Sequence, residues 1–292
     1  MITFSELGCL GRLGNQLFQY AAIRSLSLDK GFELGIPNPK TMHWHGQDCL
    51  LDNFNIEASY IPENYEPQYT YTETNSFKLD KNFFHLGDGL DIKGYFQSIA
   101  YFEKHIDQIK KELSPKQHFL DSAKKEIDAY REKYNCEIVS IHVRRGDNTD
   151  YTIPDQVELN NFYCAPGAPR LSPSSRYAYY INTAMSKFEN VKFLIFSGGG
   201  RNGNNNISDM EWCKNSFVGD QFIFSENKTV MEDFSLIMNC DHNILSHVSS
   251  FGWWAAFLNE NSKTTIAPLN YHPDKPDYTH RYKFYPDDWI LI

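Results

Sequence analysis

Apolar positions in this chain fall into short unbroken runs separated by stretches where they recur three and four residues apart. That pattern starts at the N-terminus and restarts near residue 137. Ile2–Cys9 reads as a strand, 11–16 as a tight loop, and Leu17 to Leu28 as a helix stopped by Lys30-Gly31. Phe32–Ile36 is the next expected strand. Residues 37–97 keep no steady period beyond a strand near Ile92–Phe96. Ser98–Leu113 reads as a helix, and Ser114-Pro115 begins another, with serine as cap and proline in the first turn.

The second run opens with the apolar stretch Glu137–Val143, followed by a loop over 146–172 that is rich in proline and glycine. Helices are predicted over 174–188 and 208–217, and strands over 191–197 and 221–224, with a glycine/asparagine insertion at 198–206. Thr229-Val230-Met231-Glu232 is a capping box opening a helix to Asn239. A strand at 243–247, a helix at 249–258 and a strand at 263–267 complete the run. Strand and helix alternating in both halves indicate two doubly wound α/β units.

Charge changes the picture only at one place. The 292-residue chain carries a formal net charge of -9, with 22% charged and 15% aromatic residues. An acidic chain without a Lys/Arg stripe is a poor partner for nucleic acid. Against that background, Arg144 and Arg145 stand side by side at the end of an expected buried strand, in Ser140-Ile141-His142-Val143-Arg144-Arg145-Gly146-Asp147. Open α/β sheets bind ligands at strand ends. A guanidinium fork takes phosphate oxygens two at a time and stays charged at any working pH. The pattern points to a diphosphate ligand held without a metal. A structural pair between an arginine and Asp147 is compatible with that role.

Two further segments carry chemistry. Gly11-Arg12-Leu13-Gly14 is a strand-to-helix turn that aims a helix start at a ligand. It lacks the third glycine of a dinucleotide fingerprint, so a nicotinamide cofactor is disfavoured. His247-Val248-Ser249-Ser250-Phe251-Gly252 is again a strand running into a helix, and its hydroxyls and N–H groups make an anion seat. Trp253 and Trp254 read as packing residues. Six widely spaced cysteines form no CxxC or Cys/His pattern, which argues against zinc, and Cys136 and Cys240 read as reduced core thiols. No run approaches the roughly 18 apolar residues that span a bilayer. Met1 to Leu10 is too short and polar for a signal peptide, so a cytoplasmic location is expected.

Together, residues 11–20, His142-x-Arg144-Arg145-Gly146-Asp147 and Ser249-Ser250-Phe251-Gly252-Trp253-Trp254 resemble the α-1,2-fucosyltransferase family in order and spacing. The first loop also resembles that of protein O-fucosyltransferases, and the arginine motif that of α-1,6-fucosyltransferases. The resemblance implies a GT-B fold, two Rossmann-like domains facing across a cleft. The expected boundaries are 1–134 for an acceptor-side domain, 135–270 for a donor domain, and 271–292 for a segment packing back across both. It implies GDP-fucose as donor substrate, no cofactor, and a galactose-terminated oligosaccharide as acceptor. His142 and Asp233 match positions for guanine or its ribose, and Arg144 and Arg145 the diphosphate. Ser249 and Ser250, with Phe251, match the helix-start contacts, and Arg12 and Asn15 match first-domain residues reaching the donor. The chain departs from the family at Phe196-Ser197-Gly198-Gly199-Gly200, where an acidic pair is usual; Asp209 can restore one carboxylate.

The implied reaction is an inverting transfer in which Arg144 and Arg145 stabilise the departing diphosphate. Asp147 is the candidate base, with Asp150 and Asp155 as alternatives. The sequence contains no Asp-x-Asp of the kind that holds a metal in other glycosyltransferases. A fucosyltransferase of another linkage, and a GDP-fucose- or glycan-binding protein without turnover, remain open at this point.

Overall fold

The computed structural model describes residues 1–44, 47–76, 78–144, 173–198, 206–269 and 282–292. By contact the chain forms two units, Met1–Lys116 with His280–Asp287, and Gln117–Thr279 with Asp288–Ile292.

The first unit is built on the parallel sheet β5-β2-β1-β7-β6, from β1 (Ile2–Thr3), β2 (Leu34–Ile36), β5 (Ser59–Tyr60), β6 (Tyr69–Thr72) and β7 (Leu90–Lys93). A small antiparallel pair, β3 (His43–Trp44) and β4 (Gln47–Asp48), stands apart from it. Helix α1 (Leu13–Lys30) begins four residues before its expected start, because Gln16, expected in the loop, is buried, as is Gln19 of the expected helix. Their amides donate to the Gly11 carbonyl at 3.1 Å and the Leu10 carbonyl at 2.8 Å, so the glycine loop is tied down by the helix it precedes. Gly31, at φ 70°, ends α1 in the left-handed conformation that glycine adopts without strain.

The helix expected over 98–113 is interrupted. Ser98 caps a 3₁₀ turn at Ile99–Tyr101, a second turn covers Glu103–His105, and only α2 (Ile106–Glu112) is α-helical. Burial decides this: Tyr101 and Phe102 turn into an aromatic cluster with Phe83, Phe96 and Phe18, which a continuous helix could not reach with both rings. Pro115 likewise starts no helix. It bridges Phe54, and α3 (Gln117–Tyr134) begins two residues later.

The expected divide at 134/135 would give α3 to the first domain. Helix α3 instead belongs wholly to the second unit, where Ala123 and Ile127 are buried and Arg131 forks onto Asp241 at 3.0 and 3.1 Å. The last residues divide as well, 280–287 grouping with the first unit and 288–292 with the second.

The second unit carries a six-stranded parallel sheet of order β10-β9-β8-β11-β12-β13. Its strands are β8 (Glu137–Val143), β9 (Val191–Ser197), β10 (Phe222–Phe224), β11 (His242–Ile244), β12 (Thr264–Ala267) and β13 (Ile290–Leu291). Its remaining helices are α4 (Pro173–Met185), α5 (Asn206–Ser216), α6 (Val230–Asn239) and α7 (Ser250–Phe257). Alternation along β8 sorts its side chains. Val139, Ile141 and Val143 pack with Tyr177, Ile181, Met210 and Cys213 of α4 and α5. Ile138, Ser140 and His142 therefore face the opposite side, toward α6 and α7. The capping box forms as expected, with Thr229 Oγ1 accepting from the Glu232 N–H and Glu232 accepting from the Thr229 N–H. Cys240 is fully buried, whereas Cys136 is only half-buried and is not a core residue. Strand β13 was invisible to pattern: Ile290 and Leu291 are two exposed residues that pair only because β12 offers an edge.

Candidate active site

Strand order fixes where the second unit can bind a ligand. From the central β8 the chain moves outward through β9 and β10, then returns to the other side for β11, β12 and β13. Connections leave β8 and β11 in opposite directions, which opens a crevice at their carboxyl ends, the usual ligand seat of such sheets. The Arg144 N–H spans that point, donating to Ser246 Oγ at 3.0 Å. Arg144 is half-buried, directly beyond the last residue of β8. Arg145 and Asp147, the other two expected catalytic residues, lie outside the described residues, as do Asp150 and Asp155.

The turn from β11 into α7 is strained. Val248 has φ 51°, a left-handed conformation that its branched Cβ resists. The next residue, Ser249, caps α7 by accepting the Gly252 N–H at 3.2 Å. Its hydroxyl also lies 3.1 Å from His142 Nδ1. Phe251 sets its ring 5.4 Å from the imidazole and 5.4 Å from Phe234 of α6. Gly252 approaches from the same side, so closely that a Cβ there would stand 2.8 Å from His142 Nδ1. A side chain at 252 would displace the imidazole. Three of four consecutive residues thus hold His142. Of the expected helix-start contacts, Ser249 is buried and turned to His142, while Ser250 and Phe251 keep accessible surface.

Enclosure sets the charge of His142. The residue is 5% exposed, and desolvation pushes its pKa down from 6.5 to about 4, so the ring is neutral at physiological pH. An unfolded chain binds a proton below its ordinary value, whereas the folded chain refuses it until about pH 4. Stability from this group is fully present above pH 6.5 and is lost as pH falls toward 4. The expected loss is on the order of 3 kcal/mol over the window. Urea unfolding at pH 7 and pH 4.5 tests this: His142→Gln should have a smaller acid loss than the native chain, and equal losses would contradict the assignment.

Asp233 stands in the first turn of α6, beside Phe234. Burial raises its pKa to about 7, against the opposing hydrogen bond from Ser225 Oγ at 2.6 Å. Ser225 directly follows β10, so this carboxyl is also held at the carboxyl-end side of the sheet. Ser225 and the role of Gly252 escaped sequence reasoning. Gly252 could have been found, since a glycine in a helix's first turn beside three bulky residues signals close approach; a serine after a short strand carries no such signal. Asp209 is 3% exposed on α5, inside the unit's helical layer.

Arg12 and Asn15 belong to the first unit. Arg12 precedes α1 in extended conformation, and Asn15 Oδ1 accepts from Gln97 Nε2 at 2.6 Å. Gln19 reaches the carbonyls of Leu10 and Gly94, so the loops after β1 and β7 are tied together at that unit's own switch point. Among the described residues, no helix is long and apolar enough to cross a membrane.

Residues 173–292 match the model of glycosyl transferase family 11. The chain is 28% identical to an alpha-1,2-colitosyltransferase of Escherichia coli, over 97% of this chain and 96% of that protein. It is 25% identical to the human galactoside alpha-(1,2)-fucosyltransferase 1 over 85% of its own length, and spans 63% of the human protein. Among solved structures it is similar to a mutant of Arabidopsis thaliana FUT1 in complex with GDP, with a TM-score of 0.50 and 14% identity, over 95% of this chain and 72% of that one. That likeness concerns the fold, and two Rossmann-like α/β units with parallel sheets are what the sequence led one to expect of a GT-B protein. In family 11 terms, the matched segment contains α6, the strained turn at Val248 and all of α7, but starts after the arginine motif.

Proposed function

We propose that this chain is an inverting, metal-independent α-1,2-fucosyltransferase, moving L-fucose from GDP-β-L-fucose to the 2-hydroxyl of a terminal galactose on an oligosaccharide. The observation that carries the reading is the ring of Phe251, which touches His142 on one side and Phe234, next to Asp233, on the other. It joins the nucleotide-type residues into one cluster at the switch point of the second sheet.

Each residue then has a chemical task. Breaking the bond from C1 of fucose to the diphosphate leaves charge on the β-phosphate. Arg144 and Arg145 supply fixed positive charge there, and the start of α7 adds its N–H dipoles. The acceptor oxygen attacks from the opposite face of the sugar, which converts a β-linked donor into an α-fucoside. Asp147 takes the hydroxyl proton in this reading. The Asp233 carboxylate accepts from the guanine N1–H and N2–H₂ donors.

Asp233 makes the reading dependent on pH. Only the ionised carboxyl accepts from both guanine donors, and the ordinary carboxyl range lies far below the value of about 7 that burial imposes here. GDP affinity should therefore fall about tenfold per pH unit below pH 7 and level off above it. Glu232, Lys228 and Glu126 surround the group and set its exact midpoint. Calorimetric titration of GDP from pH 5.5 to 8.5 measures this, and Asp233→Asn should flatten the profile.

A second reading concerns the donor sugar, since the relative that is 28% identical over nearly its whole length is named a colitosyltransferase. One experiment covers both. Purified protein with EDTA and lactose receives GDP-fucose or GDP-colitose, GDP release is followed, and product linkage is determined. GDP-fucose turnover with an α-1,2 product supports the proposal. Preference for GDP-colitose favours the second reading, and binding of either donor without turnover means that the chain is not a transferase. Activity that requires manganese would overturn metal independence.

A further inference from the structure

We propose that Ser249 fixes His142 in the tautomer that carries its proton on Nε2, making His142 a hydrogen-bond donor to the nucleotide and removing it from the possible general bases. The proposal rests on the nucleotide-site reading above for the ligand, and on hydrogen-bond bookkeeping alone for the tautomer.

A serine hydroxyl has one proton to give and two lone pairs. Ser249 Oγ has two neighbours among the described residues, the Gly252 N–H and His142 Nδ1. The amide can only donate, so it occupies a lone pair. The hydroxyl proton is left with one acceptor, His142 Nδ1, and that nitrogen accepts only if it carries no proton. A proton on Nδ1 would take the second lone pair and leave the hydroxyl proton of a residue only 4% exposed without an acceptor. A neutral imidazole with a bare Nδ1 must carry its proton on Nε2.

Nothing else in the cluster competes for that control. Phe251 offers a ring, and Gly252 offers only a backbone N–H, already capped by Ser249. The close approach of Gly252 leaves Nδ1 no room for a water between it and the helix. The strained backbone at Val248, immediately before Ser249, lies in the turn that delivers this hydroxyl to the imidazole. His142 Nε2 has no partner among the described residues, so its proton is available to an acceptor on the nucleoside diphosphate, a ring nitrogen or an oxygen. Ser249 is thus a positioning residue. It acts through His142 rather than on the phosphates.

The test is nitrogen NMR on ¹⁵N-histidine-labelled full-length protein, with the His142 signal among ten histidines identified by its loss in His142→Gln. The ligand-free native chain should show Nε2 protonated and Nδ1 bare. In Ser249→Ala the ring should populate both tautomers, and GDP binding should weaken about tenfold, the loss of roughly one donor bond. Ser249→Thr, which keeps the hydroxyl, should restore both. A native spectrum with Nδ1 protonated overturns the proposal, and decides it even if Ser249→Ala fails to fold. So does a Ser249→Ala spectrum unchanged from the native one. If the native chain shows the expected tautomer but binds no GDP, the nucleotide-site reading falls with the donor role, while control of the tautomer by Ser249 stands.

Discussion

Arg144→Lys is expected to lower kcat for fucosyl transfer by about 10²–10³, the usual loss when one fixed donor to transition-state charge is removed. The substitution keeps the positive charge and deletes the planar fork. Lysine presents a single ammonium on a flexible stem, so it pairs with one phosphate oxygen where guanidinium takes two. The fold should survive, because the backbone N–H of Arg144 donates to Ser246, a link that any residue but proline retains. The effect should fall mainly on kcat, since charge on the β-phosphate grows as the bond breaks. Steady-state kinetics with GDP-fucose, set beside GDP binding and a thermal melt, separates these contributions. Near-normal turnover would remove Arg144 from the mechanism.

Glu112→Ala is expected to destabilise the first unit by about 3–5 kcal/mol, the range for breaking a buried ion pair. Glu112 is 1% exposed at the end of α2. Its carboxylate accepts from Arg24 Nε at 3.0 Å and Nη2 at 2.8 Å, from the Tyr20 hydroxyl at 2.5 Å and from Gln108 at 2.7 Å. Alanine would leave a mostly buried guanidinium and a buried phenol without their main acceptor; the exposed Glu57 is the remaining carboxylate on Arg24. Glu112→Gln keeps the volume and part of the hydrogen bonding and should cost less. The consequence extends beyond stability, because Tyr20 and Arg24 sit on α1, whose first turn presents Arg12 and Asn15. Urea denaturation of the three proteins measures the difference. A loss under about 1 kcal/mol would put this pair in the class of surface ion pairs.

Much of the second unit was legible in advance. The apolar run Glu137–Val143, the capping box at Thr229 and the strand-to-helix turn at Ser249 are written locally, in periods and caps spanning a few residues. The first unit was less so. Its strands β5 and β6 are short, exposed and polar on both faces, so alternation gives no signal. The helix over 98–113 had acceptable spacing, yet tertiary packing of Tyr101 and Phe102 broke it into turns.

The sequence by itself determined the two α/β runs, the Gly31 stop, the motif residues and their resemblance to one transferase family. It did so because propensity, capping and side-chain period act over a few neighbouring residues. Tertiary structure alone decided the strand order that opens a crevice between β8 and β11, the transfer of α3 to the second unit and the added edge strand β13. It also decided that Ser249, which the sequence offers as a phosphate contact, turns its hydroxyl to an imidazole 107 residues away. Hydrogen-bond partners and desolvation are set by which surfaces meet, and those meetings join residues that the chain keeps far apart.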